Sequence, residues 1–467
     1  MFITTRDKEV AEITDAWACL RKAAKVRSRD FPVLRADSRE NLINERLNEK
    51  IWSGGRCFLI GGGPSLRNFD FSQLDNELTI AINRAHEFIN SPSVIFFMDK
   101  EDFYDKLMCG EFGQKALKKF NKSHAMKMAL NISGHDYGED IHSIPISRNP
   151  EMTFSLKDGI YDGENSGFAA LNLAVCMGAK EIYLLGYDMK GDGQGNQTWF
   201  HGGYKRKGKE SNYKGWIKHF KGAVPLLKQK GIEVINLNPD SALRCFEFKQ
   251  FKDIKPIEWP MIISFYTRNT GYEKEIKNLI GSLKRFNLEH KIYKYSPKGT
   301  WRNNLNYKSL TILRALEEFP EKDIVFIDAD AIVRKYPLLF TELSKKKDYD
   351  IAAHFFDYDP RSGILDELLS GTLWIQNSKK GRKLIEEWHG IALDNSSIIH
   401  QRCLKIAIQK LNEDKTEIEV YRLPFEYTCI FDYEKGRKLD PVIEHFQASR
   451  YLRREVGYGE HLNKGRV

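Results

Sequence analysis

Short, unbroken apolar runs recur along this chain, each closed by a turn residue. Cys57-Phe58-Leu59-Ile60, Leu78-Thr79-Ile80-Ala81-Ile82, Val94-Ile95-Phe96-Phe97, Ile182-Tyr183-Leu184-Leu185 and Val234-Ile235-Asn236-Leu237 hardly alternate with polar residues. Runs of that length and texture suit strands covered on both faces. Helical periodicity fills the later intervals, from Gly167 to Met177 and from Trp216 to Lys230. Buried strands alternating with helices predict an α/β layer on a largely parallel sheet.

The pattern restarts after the polar residues 249–260, which carry Pro256 and Pro260. Met261-Ile262-Ile263-Ser264-Phe265-Tyr266 opens a second series: helix Gly271 to Phe286, strand Lys291 to Tyr295, helix Tyr307 to Phe319, strand Asp323 to Ile327. The expected fold class is therefore α/β, with two Rossmann-like domains over residues 55–248 and 261–467, joined by 249–260. Residues 1–54, with Val10, Ile13, Ala16 and Leu20 at helical spacing, read as a packing extension. At 467 residues the chain exceeds one ordinary core.

Composition narrows the function classes. No apolar run approaches the ~20 residues of a membrane span, and Met1 to Asp7 lacks the apolar core of a leader. A soluble, cytoplasmic protein is expected. Seven scattered cysteines without a C-x-x-C pair suit reduced thiols and exclude a disulfide framework or zinc cluster. A net charge of +9 permits a polyanionic partner without demanding one.

Ile324-Val325-Phe326-Ile327 delivers Asp328-Ala329-Asp330 at its carboxyl end, where open α/β sheets place ligands. Carboxylates at i and i+2 face the same side of an extended chain, and their repulsion is relieved by a cation between them. A divalent metal bridging to diphosphate oxygens fits.

From the opening strand with Tyr266-Thr267-Arg268 to the late Ile443-Glu444-His445-Phe446, residues 261–450 resemble the GT-A glycosyltransferases, especially the family-8-like retaining enzymes. The matching pieces also include Tyr307-Lys308, Leu369-Ser370-Gly371-Thr372-Leu373-Trp374-Ile375, His400-Gln401 and Leu423-Pro424. The resemblance implies Mn²⁺ or Mg²⁺ on Asp328, Asp330 and His445. It places Thr267 and Arg268 at the nucleotide, Lys308 facing the donor, Ser370 and Gly371 beside it, and Gln401 near the anomeric carbon. Where the family continues with glycine and Lys-Pro-Trp, this chain has Gln447-Ala448-Ser449-Arg450-Tyr451; Arg450 is the expected phosphate contact.

In the first half, Gly61-Gly62-Gly63-Pro64-Ser65 follows a strand directly. Glycines let backbone approach a phosphate, and Ser65 is expected to cap a following helix. Residues 56–248 resemble the family-42 sialyltransferases and the 6-hydroxymethylpterin pyrophosphokinase-like (DUF115) proteins. The resemblance runs through Ile60 to Leu66, Ala81-Ile82-Asn83, Asn165-Ser166-Gly167-Phe168, Gly178 to Asp188, His201 and Asn238 to Leu243. It implies a nucleotide among Gly61, Gly62, Gly63, Ser65, Asn83, Ser166 and Gly167, Asp188 near the ribose or sugar, and His201 as general base. The sialyltransferases use CMP-sugars without an essential metal and the pterin enzymes use ATP with Mg²⁺; both stay open.

Residues 204–230 carry nine lysines and arginines, with Tyr204, Tyr213, Trp216 and Phe220 interleaved. That mixture serves phosphate contact with stacking, or a solvated face whose aromatics pack inward. The expected activity is transfer of a sugar from a UDP- or GDP-linked donor to a hydroxyl of a glycan or of a modified base in viral DNA. The first half would add a second transfer, act as a pyrophosphokinase, or hold the acceptor.

Overall fold

The computed structural model describes residues 50–132, 134–192, 196–202, 212–298, 301–359, 364–395, 398–431, 440–449 and 452. Most of the expected N-terminal extension, the basic residues 203–211 and Arg450 lie outside them.

The first half is an α/β layer on one eight-stranded sheet. Its strands are β1 (Arg56–Ile60), β2 (Leu78–Ile82), β3 (Val94–Phe97), β4 (Met126–Asn131), β5 (Ile141–Pro145), β6 (Glu181–Leu185), β7 (Glu233–Asn236) and β8 (Glu247–Phe248). They lie in the order β5-β4-β3-β2-β1-β6-β7-β8, with every neighbouring pair parallel. The chain thus builds outward from β1 on one side and returns through β6 on the other. Order reverses between β1 and β6, and the loops leaving their carboxyl ends diverge to open a crevice. The helix Ser166–Cys176 is buried from Phe168 to Cys176, as befits a helix apolar all round.

The second half holds β9 (Met261–Thr267), β10 (His290–Tyr295), β11 (Ile324–Ile327), β12 (Ala331–Val333), β13 (Ile351–Asp359), β14 (Ile364–Ile375), β15 (Val420–Arg422), β16 (Cys429–Ile430) and β17 (Ile443–His445). Six form a mixed sheet, β10-β9-β11-β14-β13-β15, in which β14 runs antiparallel to both β11 and β13. A small sheet, β12-β17-β16, stands beside it. Helices Tyr272–Arg285, Tyr307–Glu318, Lys379–Asp394 and His400–Glu413 complete this layer.

The halves share one apolar cluster, in which Trp52, Leu78 and Val94 continue into Ile262, Phe286, Val325 and Tyr336. Each large side chain buried there contributes about 1.5–3 kcal/mol. Polar contacts cross the seam as well. The Asn287 amide donates to Glu77 O (2.8 Å) and Ser91 O (2.6 Å), and Tyr336 N donates to Ile51 O (2.8 Å). Residues 249–260 are pinned to both halves, with Phe251 against Phe58 and Phe69 of the first, and buried Trp259 against Tyr336 of the second. No helix among the described residues is long and apolar enough to cross a membrane.

Candidate functional site

In the second half, β11 is fully buried and runs directly into Asp328, whose N–H still donates to Gly371 O of β14 (2.8 Å). Ala331 N donates to Asp328 O (3.1 Å), so the chain turns at once into β12 with Asp330 at its start. β12 pairs antiparallel with β17, placing Ala331 opposite His445. Phe446 N donates to Asp330 O (3.0 Å) and Ala448 N to Asp330 Oδ2 (2.6 Å). The register brings ligand atoms of Asp328, Asp330 and His445 within 4.8 Å of one another.

That register is locked from beneath. Arg334 Nε donates to Glu444 Oε2 at 2.9 Å, both side chains 3% exposed or less. A buried pair of this kind is costly to break by removing one partner.

The donor set fits a hard divalent cation. Burial pushes the His445 imidazole down to about 4; the Asp328 charge opposes this and Lys308 adds to it. The ring is therefore neutral at physiological pH. Thr372 Oγ1 lies 2.8 Å from His445 Nε2; in the tautomer in which Nε2–H donates to that oxygen, the Nδ1 lone pair is available to a metal. A side chain at Gly371 would crowd this space: a Cβ there would stand 3.2 Å from His445 Nδ1 and 3.4 Å from Asp328 Oδ2. Lys308 Nζ lies 2.8 Å from Asp328 Oδ1 and donates to Ser370 O (3.0 Å) and Ser370 Oγ (3.3 Å). The ammonium thus takes one carboxylate oxygen while the other faces the imidazole.

A cavity of about 130 Å³ opens beside the cluster, lined by Thr267, Thr270, Tyr272, Asn304, Lys308 and Gln447 among others. Arg268 is exposed, and its N–H donates to Tyr295 O (2.9 Å). Gln401, on the helix His400–Glu413, donates to Glu367 Oε1 of β14 (2.7 Å); neither Arg268 nor Gln401 lines this cavity. Gln447 adopts φ +52°, the left-handed region where glycine is least strained. The backbone thus keeps a glycine-favouring conformation although glycine is absent.

In the first half, the site grows from the pairing of β1 with β6. Ile60 lies opposite Leu185, so Gly61 and Gly63 run beside Gly186, with Gly63 N donating to Gly186 O (2.9 Å). A Cβ on Gly61 would stand 2.8 Å from Gly186 O, and one on Gly63 would overlap the Asp188 carboxylate. Asp188 accepts from Ser65 N (3.2 Å) and Ser65 Oγ (2.7 Å). Burial raises its carboxyl while the Ser65 bonds oppose that shift.

The expected cap is corrected here. Only a three-residue 3-10 turn, Pro64–Leu66, follows the glycines, and the Ser65 hydroxyl is spent on Asp188. Two other helix starts face the cavity instead: Asn165 accepts from Phe168 N, and Asn212 from Gly215 N.

This cavity measures about 800 Å³. Asn83, at φ +50°, donates to Asp99 Oδ2 (3.4 Å), which also accepts from Ser166 Oγ (3.1 Å). The buried Asn83 Oδ1 finds no donor among the described residues, so a bound molecule with an N–H group would satisfy it. Gly167 and His201 also line the space, and a Cβ on Gly62 would stand 2.9 Å from Trp199. His201 lies between the rings of Trp199 and Phe88 with Phe200 edge-on. Burial, with the nearby Arg84 charge second, pushes its imidazole down to about 3. Its position suits the expected role; its basicity is far weaker than a base at neutral pH requires. The Asp328, Asp330 and His445 group is the metal-type cluster found among the described residues.

Sequence reasoning missed Thr372, Thr270, Asp99 and the Ala448 amide. Asp99 follows an apolar run as Asp328 does, and that was its available signal.

A scan against protein-family models and a search of curated proteins find no match. Among solved structures, a glycosyltransferase involved in the glycosylation of the major capsid of PBCV-1 is similar over 40% of this chain and 93% of that chain, with 17% identity and a TM-score of 0.33. The glycosyltransferase GlyE of Streptococcus pneumoniae TIGR4 is similar over 40% of this chain and 54% of that chain, with 17% identity and a TM-score of 0.30.

Proposed function

We propose that the second half transfers a sugar from a nucleoside diphosphate donor, UDP- or GDP-linked, to an acceptor hydroxyl. One observation carries this reading: two carboxylates and a neutral imidazole converge within 4.8 Å at the carboxyl end of β11, beside a cavity. A bound Mn²⁺ or Mg²⁺ would neutralise charge on the departing diphosphate. The chain's own residues do the rest. Asp330 is oriented by the Ala448 amide and His445 by Thr372. Lys308 is placed to exchange its Asp328 contact for a diphosphate oxygen as the leaving group gains charge. Thr267 lines the cavity on the side assigned to the nucleotide, and the exposed Arg268 is assigned to the same ligand from outside that cavity. Ser370 holds the Lys308 ammonium and Gly371 leaves room between His445 and Asp328, and Gln401 reaches the sugar only if it leaves Glu367.

The test is release of nucleoside diphosphate from a panel of nucleotide sugars, with Mn²⁺ and with chelator. Metal-dependent release from at least one sugar, lost in Asp330→Ala, is expected. Release that ignores both chelator and Asp330→Ala would refute this reading.

For the first half, the orphan Asn83 Oδ1 and two helix starts facing one cavity favour a nucleotide ligand. A CMP-sugar would make it a second transferase, and ATP a pyrophosphokinase. Isothermal titration with each nucleotide separates them, and binding of neither sinks both.

A further inference from the structure

The helix Tyr213–Gln229 contains no acidic residue. Lys214, Lys218, Lys221 and Lys228, at steps of four, three and seven, are all exposed and fall on one face. They span about 21 Å at 1.5 Å per residue. Three lysines elsewhere in this half have carboxylate partners, Lys100 with Asp105, Lys106 with Asp102, and Lys249 with Glu233 and Glu247. None of the four on this helix pairs with a carboxylate among the described residues.

Helix stability does not account for them. A cation near the last turn, such as Lys228, complements the macrodipole, but Lys214 and Lys218 stand in the first turns, where it opposes them. The row also leads somewhere. Tyr213 and Trp216, rings edge-to-face at 5.4 Å, belong to the helix start and line the 800 Å³ cavity.

We infer that this helix is a track for the phosphodiester backbone of a single nucleic-acid strand, running toward the cavity mouth. Unpartnered point charges at helical spacing suit phosphates, and aromatic rings at the helix start, turned from the lysine face toward the cavity, suit stacking of a base that leaves the backbone track there. Lysine ammonium groups without an arginine fork in this row predict binding that tracks charge and is indifferent to sequence. The inference goes beyond the transferase reading and does not depend on it.

Fluorescence anisotropy of a short labelled DNA strand with the full-length protein is the test. Four contacts predict a log–log salt slope of about −2.8, an affinity loss of about fifty-fold between 50 and 200 mM salt. Lys214→Ala, Lys218→Ala and Lys221→Ala should each reduce that slope by about 0.7 whatever the strand's sequence. Trp216→Ala should weaken binding while leaving the slope unchanged. Lys100→Ala and Lys249→Ala serve as controls and should change nothing. Circular dichroism checks that each variant is folded, and a variant that melts early is replaced by the Lys→Gln form. Absent binding, a slope unmoved by the three substitutions, or equal binding of a sulfated polysaccharide or of anionic phospholipid vesicles would each overturn the inference.

Discussion

The two cavities are built on opposite principles. The larger one, between β1 and β6, is shaped by omission: Gly61, Gly62, Gly63 and Gly186 clear space, and one amide oxygen is left unanswered. The smaller one is shaped by charge, with Asp328, Asp330, His445 and Lys308 packed into a corner that register holds closed. A parallel sheet supplies the first kind from one switch point. The second kind needs residues from distant strands, so it needs an antiparallel return such as β17 alongside β12. On the proposed reading the first would recognise a ligand by fit and backbone dipoles, the second by an ion.

Removing a charge should therefore hurt the second site far more than the first. Asp330→Ala is expected to lower metal-dependent transfer about a thousand-fold, near 4 kcal/mol of barrier, without changing nucleotide binding in the first half. Steady-state kinetics and titration calorimetry on the same preparation check both parts. Adding a methyl should do the reverse. Gly63→Ala forces the overlap with Asp188, should cost about 1–3 kcal/mol, and should abolish nucleotide binding there while transfer by the second half persists. Loss of both functions at once would show that the sites are coupled.

A subtler change tests orientation. Thr372→Val removes the hydroxyl at His445 Nε2 and should weaken metal affinity about 10- to 100-fold with little effect on the saturated rate. The effect that is smallest near neutrality concerns pH. His201 is held neutral in the fold, down to about 3 against an ordinary 6.5. As pH falls below 6.5 the unfolded chain takes a proton that the folded chain refuses, so stability declines toward pH 3, by about 1 kcal/mol per pH unit. His201→Asn should flatten that part of the melting profile, and an unchanged profile would refute the burial argument.

How much of this was legible in the sequence depended on how local the cause was. The strands β1, β2, β3, β6 and β7 were visible as apolar runs, and the helix Tyr307–Glu318 was placed to within one residue. β14, the long strand that makes the second sheet mixed, carries Asp366, Glu367 and Gly371 and shows no run along much of its length. Asp328 and Asp330 declared themselves because three consecutive residues carry the signal. His445 joins them through the pairing of β12 with β17, which no spacing predicts; only the family resemblance pointed there. The Ser65 expectation failed because a glycine run after a strand does not guarantee a full helix. Its hydroxyl answers to Asp188, a neighbour created only when β6 lies beside β1.

The apolar seam shared by the two halves has a bearing on birth as well as on shape. A ribosome finishes Phe248 while Phe286 and Tyr336, which cover part of that surface, are still unmade. The 88 residues from Phe248 to Tyr336 take roughly five to twenty seconds to synthesise. For that interval the nascent first half carries an uncovered greasy face, a window in which a chaperone can act. Splitting the gene at residues 249–260 would make that window permanent.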